Sequence, residues 1–189
     1  KEVTDAMITI ISNCTGVDAT NLPTFDVEYI FLKIRGKSVG DIVDLNLICP
    51  DDNLTTVPIK LDINEIDVQI SEDHTNTIQL TDEIKLVMNY PTLSDASEHE
   101  ITADNPDGVF KVLQTCINEI HNGDEIFHKV DMTKADISDF VDSLNTQQFN
   151  SLLAFFETMP KLRHVVEVTN PKTGVTSEVL LEGMESFLE

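Results

Sequence analysis

One stretch limits the fold more than any other: Phe25–Leu61, FDVEYIFLKIRGKSVGDIVDLNLICPDDNLTTVPIKL. It reads as one helix running into a two-stranded ribbon. Asp41–Cys49 alternates Ile42, Asp44, Asn46 and Ile48 with Val43, Leu45 and Leu47, the period of a half-buried strand. Cys49-Pro50-Asp51-Asp52-Asn53 is turn chemistry, because Pro presets φ and Asp and Asn side chains bond the backbone two residues on. Leu54–Asp62 returns with Val57, Ile59 and Leu61 facing one way. Pro58 has no N–H to give a ladder, so this strand is expected at an edge or with a bulge. Before the ribbon, Thr24 is a candidate N-cap, Glu28 complements the helix dipole and Gly36 is the expected stop after a helix over Phe25–Arg35.

Upstream, Val3, Ala6, Met7, Ile10 and Ile11 share one helix face, and Gly16 is the expected stop. The chain starts at Lys1 and not Met, with the pattern already running, so this helix is expected to extend further upstream. Downstream of the ribbon, Ile63–Ile70, Thr77–Leu80 and Glu83–Asn89 read as further strands in hairpins, hence an antiparallel sheet. Ser94–Asp107 is acidic and poor in apolar residues, an exposed connector. Beyond it the pattern turns helical over Gly108–His121. Asn122-Gly123 marks a turn, Glu125–Val130 is β-like, and Thr133 with Asp136 forms a loose capping box. A helix opens at Thr146 and closes at Pro160, and Leu162–Val168 and Val175–Leu180 form a hairpin around Asn170–Gly174. The expectation is one α+β domain over 1–189, an antiparallel sheet and hairpins packed with about five helices. The hairpins Asp41–Leu61 and Arg163–Leu181 could form a satellite ribbon.

The charge narrows function. With 34 acids against 12 bases the chain carries −22, which argues against nucleic acid or an anionic membrane as direct partner. No apolar run reaches the roughly 20 residues of a membrane span. Acidity favours solubility and steering toward a basic partner, or is simply a solvated surface. Three cysteines, Cys14, Cys49 and Cys116, at wide spacing are no disulfide framework and fit a reducing cytoplasm.

Catalytic motifs are missing. The five histidines form no H-x-x-x-H or H-E-x-x-H pair, and His128 and His164 read as core residues of strands. There is no G-x-S-x-G and no phosphate-binding glycine loop. Asp51-Asp52-Asn53 lacks the spacing of a calcium loop and reads as a solvated turn, with weak cation binding the other reading. A metal-assisted hydrolase has no support in the sequence. Lys33, Arg35 and Lys37 hold three of the 12 bases; they are either a docking patch or, more simply, charges complementing a helix C-terminus.

The order of these pieces resembles a known family. An IFLKIRGKSVGD helix, a strand into Cys-Pro, a turn, a VPIKLDI strand and an IKLVMNYP strand are similar to the baseplate hub subunits of T-even-like contractile-tailed bacteriophages. The likeness runs from Phe25 to the C-terminus and lies in order and local wording. It implies a non-enzymatic protein of the tail baseplate hub, or a hub assembly chaperone, with other baseplate hub proteins as partners. It places the protein in the host cytoplasm during assembly and in the virion tail baseplate. The runner-up is a generic acidic adaptor or inhibitor-like module. Some members of the family carry a Cys-Pro-x-Cys knuckle and a later cysteine pair, the makings of a four-thiolate zinc site. Here Asp52 stands where the second thiolate would be, and the late hairpin offers Asn170-Pro171. The expectation is therefore a degenerate zinc-ribbon-like subdomain without metal and without other cofactors. If its two turns still pack together, hydrogen bonds and Asx-type turns must replace the zinc. Lys33, Arg35, Lys37, Cys49, Pro50, Asp51 and Asp52 are the candidate partner-binding residues, with the acidic 95–107 connector as a further surface.

Overall fold

The computed structural model describes residues 2–99 and 106–187. In chain order it has α1 (Glu2–Thr15), α2 (Thr24–Val39), β1 (Ile42–Ile48), β2 (Thr56–Asp62), β3 (Asp67–Gln69), β4 (Thr77–Gln79) and β5 (Ile84–Met88). Then come α3 (Leu93–His99), α4 (Pro106–Cys116), β6 (Ile117–Asn122), β7 (Glu125–His128), α5 (Lys134–Asp142), α6 (Thr146–Thr158), β8 (Lys161–Thr169) and β9 (Thr176–Glu182). The strands form three antiparallel sheets ordered β1-β2, β3-β8-β9 and β4-β5-β6-β7. The expected α+β class with antiparallel pairing is what the chain adopts, with six helices among the described residues.

The chain divides into two compact units. One is built of Lys1–Asp5, Thr20–Thr24 and Ile70–Met159. Its core packs Leu86, Met88 and Ile120 of the four-stranded sheet with Leu113, Ile137, Leu152 and Phe155 of the helices. Two capping boxes start its later helices. Thr133 and Asp136 exchange side-chain and backbone bonds at α5, and Asn145 and Gln148 do so at α6. A helix over Gly108–His121 is not what forms. The helix stops at Cys116 and Ile117 enters β6, because Leu86↔Ile120 and Val87↔Glu119 pair with β5 across a bulge at Val87/Met88. A short apolar run serves helix and strand equally, and tertiary pairing decides.

The other unit comprises Ala6–Ala19, Phe25–Gln69 and Pro160–Glu189. Its core joins Leu32 of α2, Val43, Leu45 and Leu61 of the first ribbon, Ile63, Ile66, and Leu162, Leu181 and Phe187 from the end of the chain. Burying each such side chain is worth about 1.5–3 kcal/mol. The β1–β2 register pairs Asn46 with Pro58, and each strand has a free edge, so the missing N–H of Pro58 is tolerated. Gly36 does not stop α2. It is buried within the helix, where a Cβ would lie 3.0 Å from Asp41 Oδ1 and 3.6 Å from Ile63 Cγ2. The stop falls at Gly40, with φ +121° and its N–H donating to Gly36 O at 3.0 Å. Ile63–Glu65 is a 3₁₀ turn, not strand, opened by Asp62, whose Oδ1 accepts from Asn64 N at 2.9 Å.

Candidate functional site

The two hairpin turns of the second unit are built alike. At the β1–β2 tip, Cys49 N donates to Thr55 O at 2.8 Å and Asn53 N to Cys49 O at 2.9 Å, with Asn53 at φ +52°. At the β8–β9 tip, Asn170 N donates to Val175 O at 2.9 Å and Gly174 N to Asn170 O at 2.8 Å, with Gly174 at φ +75°. Each turn is thus an X-Pro-x-x knuckle closed by a residue in the left-handed region, which Asn and Gly enter at least cost.

The knuckles are locked to each other. Asn170 is fully buried, and its Nδ2 donates to both oxygens of Asp51, at 3.0 and 3.1 Å. Thr173 Oγ1 donates to Asp51 Oδ2 at 2.5 Å. The other end of the Asn170 amide accepts from Lys172 N at 2.9 Å, an Asx-turn. Asp52 holds its own turn: it accepts from Leu54 N (3.0 Å), Thr55 N (2.9 Å) and Thr55 Oγ1 (2.6 Å). These donors keep both carboxyls below the usual carboxylate range, Thr173 and then Asn170 acting on Asp51, and Thr55 on Asp52. Hydrogen bonds and Asx geometry thus join the two turns.

Cys49 is 1% exposed, and burial, followed by the negative charges of Asp51 and Asp52, raises its thiol pKa. A thiol held protonated is a poor metal ligand and a poor nucleophile. Around it stand an amide, a hydroxyl and carboxylates already tied to protein donors, a donor set that does not fit a thiolate zinc site. Among the described residues no group of three or more His, Cys, Asp or Glu side chains is placed to share a metal ion. At the outer end of the tip, Pro50, Asp51 and Asn53 are exposed and Leu54 is 82% exposed.

The basic residues do not make one patch. Lys33 Nζ donates to Ile63 O at 2.9 Å and Ile66 O at 3.1 Å and lies 4.9 Å from the Tyr29 ring centroid. It caps the 3₁₀ turn and braces α2 against it. Arg35 is half-buried, with Nη1 enclosed and unbonded. Only Lys37 is exposed, in the last turn of α2. Positions two apart on a helix face different ways, so Lys33 and Lys37 share a side and Arg35 does not. With Tyr29, Ile30, Ile34, Cys14 and Thr15, those two lysines line a shallow groove. No hydrogen bond or ion pair of the described residues joins this cluster to the tip.

The acidic connector is a helix where it is described. α3 covers Leu93–His99, started by Asp95 accepting from Thr92 N (2.9 Å) and Thr92 Oγ1 (2.7 Å) while Asp95 N donates to Thr92 Oγ1. The T-x-x-D box was present in the sequence. The rest of the connector, 100–105, lies outside the described residues. His128 is not a core residue: it is exposed on β7, its Nδ1 3.3 Å from Glu119 Oε1, while His121 Nε2 lies 2.8 Å from Glu119 Oε2. His164 is half-buried on β8. Glu28 does more than face a helix dipole. Burial, then Glu182 and Glu185, push its carboxyl up to about 6 against a bond from the Met184 backbone. Thr173 and Thr55 are the tip residues that motif reasoning did not single out; Asn170 was noted at the expected knuckle, without its partner Asp51.

No described helix is long and apolar enough to cross a membrane. Comparison with curated proteins and with solved structures finds no match. A family model described as T4 bacteriophage base plate protein matches residues 1–189, the full length given. The order of helix, Cys-Pro ribbon and closing hairpin therefore has its explanation in descent: the chain belongs to the T4 bacteriophage base plate protein family.

Proposed function

We propose that the protein is a non-enzymatic component or assembly chaperone of the baseplate hub, acting through contacts with other baseplate hub proteins. The observation that carries this is the tip. Two knuckles are pinned by buried Asn170 to Asp51, and the pinned pair presents Leu54 at 82% exposure. A large apolar side chain held outward on a hydrogen-bonded turn is open to a partner and brings no reactive group. Cys49, Pro50, Asp51 and Asp52 build that tip; Cys49 supports it from within, while Pro50 and Asp51 are presented beside Leu54. The ribbons 41–61 and 163–181 act as its satellite support. Lys37, on the same side of α2 as Lys33, is a second contact point, with Arg35 turned another way, and the acidic remainder steers basic partner surfaces. The protein acts in the host cytoplasm during assembly and, as a permanent part, in the tail.

Co-expression with the hub proteins of the same phage, capture of the complex and a salt series test this. Capture should be lost in Leu54→Asp, with folding kept, and weaken from low to high salt. Capture unchanged in Leu54→Asp and in Lys37→Glu would sink the proposal. Mass spectrometry of purified particles separates a permanent component, present in them, from a chaperone, absent from them.

A further inference from the structure

Three lysines converge on one concavity in the unit that holds Ile70–Met159. Lys111 comes from α4, Lys129 from the 3₁₀ turn after β7 and Lys134 from the first residue of α5. With Gln114, Thr115 and Ile137 they line a cavity of about 140 Å³. Acids outnumber bases 34 to 12, so a lysine on this surface has carboxylates in abundance to pair with. Among the described residues none of these three forms an ion pair: the lysine and arginine pairs there use Lys60, Lys161 and Arg163. Lys129 Nζ donates to Thr115 O at 2.5 Å, which holds its stem at the rim and leaves further N–H groups free. Asp136, two residues after Lys134, is turned away, its Oδ2 accepting from Thr133 N (2.8 Å) and Oγ1 (2.7 Å).

Three lysines lining one concavity, none of them ion-paired among the described residues, give it a positive lining, with Asp95 in the neighbouring concavity beside Lys129. An anion seated among them is attracted, and more strongly in a concavity than on an open face. We infer that this pocket is an oxoanion-docking site whose occupant is an Asp or Glu side chain from an acidic segment of a partner protein. Size and chemistry choose that occupant. The cavity is well below the roughly 300 Å³ where small-molecule sites begin, so it takes one side chain and not a cofactor. A nucleic acid would carry its further phosphates onto a chain of net charge −22. The inference rests on the proposed action through protein contacts and adds the chemistry of one partner surface.

The test is an amide-shift titration of the ¹⁵N-labelled whole chain with N-acetylated, C-amidated hexaglutamate, with inorganic phosphate as a parallel arm. Saturable shifts are expected at Lys111, Gln114, Thr115 and Lys134. Binding should weaken about tenfold in the K111E/K134E double variant and stay unchanged in K37E. Should K111E/K134E not fold, K111M/K134M serves, since it keeps the apolar stems. Peptide binding as tight in the double variant as in the parent overturns the inference, as do equal shifts at Lys37 and Lys172. Phosphate binding as tightly as the peptide overturns the partner segment as occupant. Failure of the peptide to bind removes this pocket and leaves tip-dependent capture of hub proteins standing; loss of that capture with the pocket intact does the reverse.

Discussion

Glu28→Gln should stabilise the protein at neutral pH. Glu28 lies on α2 in a half-buried position, its carboxyl raised from 4.5 to about 6, first by burial and then by Glu182 and Glu185. The folded state therefore binds its proton more tightly than the unfolded chain does. By linkage, stability falls as pH rises between the two values; the cost is absent below 4.5 and fully present above about 6. The difference between those two values, at about 1.4 kcal/mol per unit, gives a cost of about 2 kcal/mol. Glutamine has no charge to desolvate, and its amide oxygen still accepts from the Met184 backbone. The gain at pH 8 should be about 2 kcal/mol, or about 4–8 °C in Tm for a chain of this size. Urea unfolding of both proteins across pH 4.5 to 8 reads it. The curves should converge at the acid end and separate toward pH 8. A gain of the same size at both ends would place the effect in packing and refute the electrostatic account, as would no gain at all.

Asn170→Ala removes a buried amide and its bonds to Asp51 and Lys172 N, and should cost about 1–3 kcal/mol in the same assay, with Asn170→Asp worse because two carboxylates then face each other. Asp52→Cys, Asn170→Cys and Thr173→Cys together with native Cys49 would put four thiols on the paired knuckles; stoichiometric zinc by mass spectrometry and a zinc-dependent rise in Tm are expected. Burial lowers the pKa of His74, whose ring bonds Thr158 Oγ1 (3.0 Å) and the Tyr90 hydroxyl (2.9 Å), so its contribution is complete above 6.5 and lost as pH falls below; His74→Gln should flatten that part of the pH–stability curve. Exposed Cys14 should react with a thiol reagent in the native state, while buried Cys49 and Cys116, the latter pushed up to about 12, should react only on unfolding.

How much of this was legible in the sequence depends on where the deciding force lies. The ribbon was, because Val43, Leu45 and Leu61 alternate with polar residues and nothing else buries that pattern. The α5 cap was, because a T-x-x-D box is local chemistry. Gly36 was not: its buried position depends on Asp41 and Ile63 arriving across the helix, and the chain alone reports only a glycine. Ile117 was not either, since its place on β6 is set by β5. At the tip, Cys49-Pro50 and Asn170-Pro171 suggested hydrogen bonds between the turns if they packed together, but not that Asn170 would reach Asp51 across 119 residues. Lys33 misled for the same reason, because the carbonyls it serves lie 30 and 33 positions on.

The unit carrying the tip is made of three separated stretches, with Ile70–Met159 of the other unit intervening in the chain. That intervening block emerges from the ribosome ahead of Pro160–Glu189, and domains generally fold as they emerge. The ribbon 41–61 must meanwhile wait, its core partners Leu162, Leu181 and Phe187 still to emerge. Closing so long a loop is slow, and the Asp51–Asn170 clasp belongs to the last contacts to form. The surface proposed for docking is thus a late product of synthesis. A chain that stops before Asn170 would lack it.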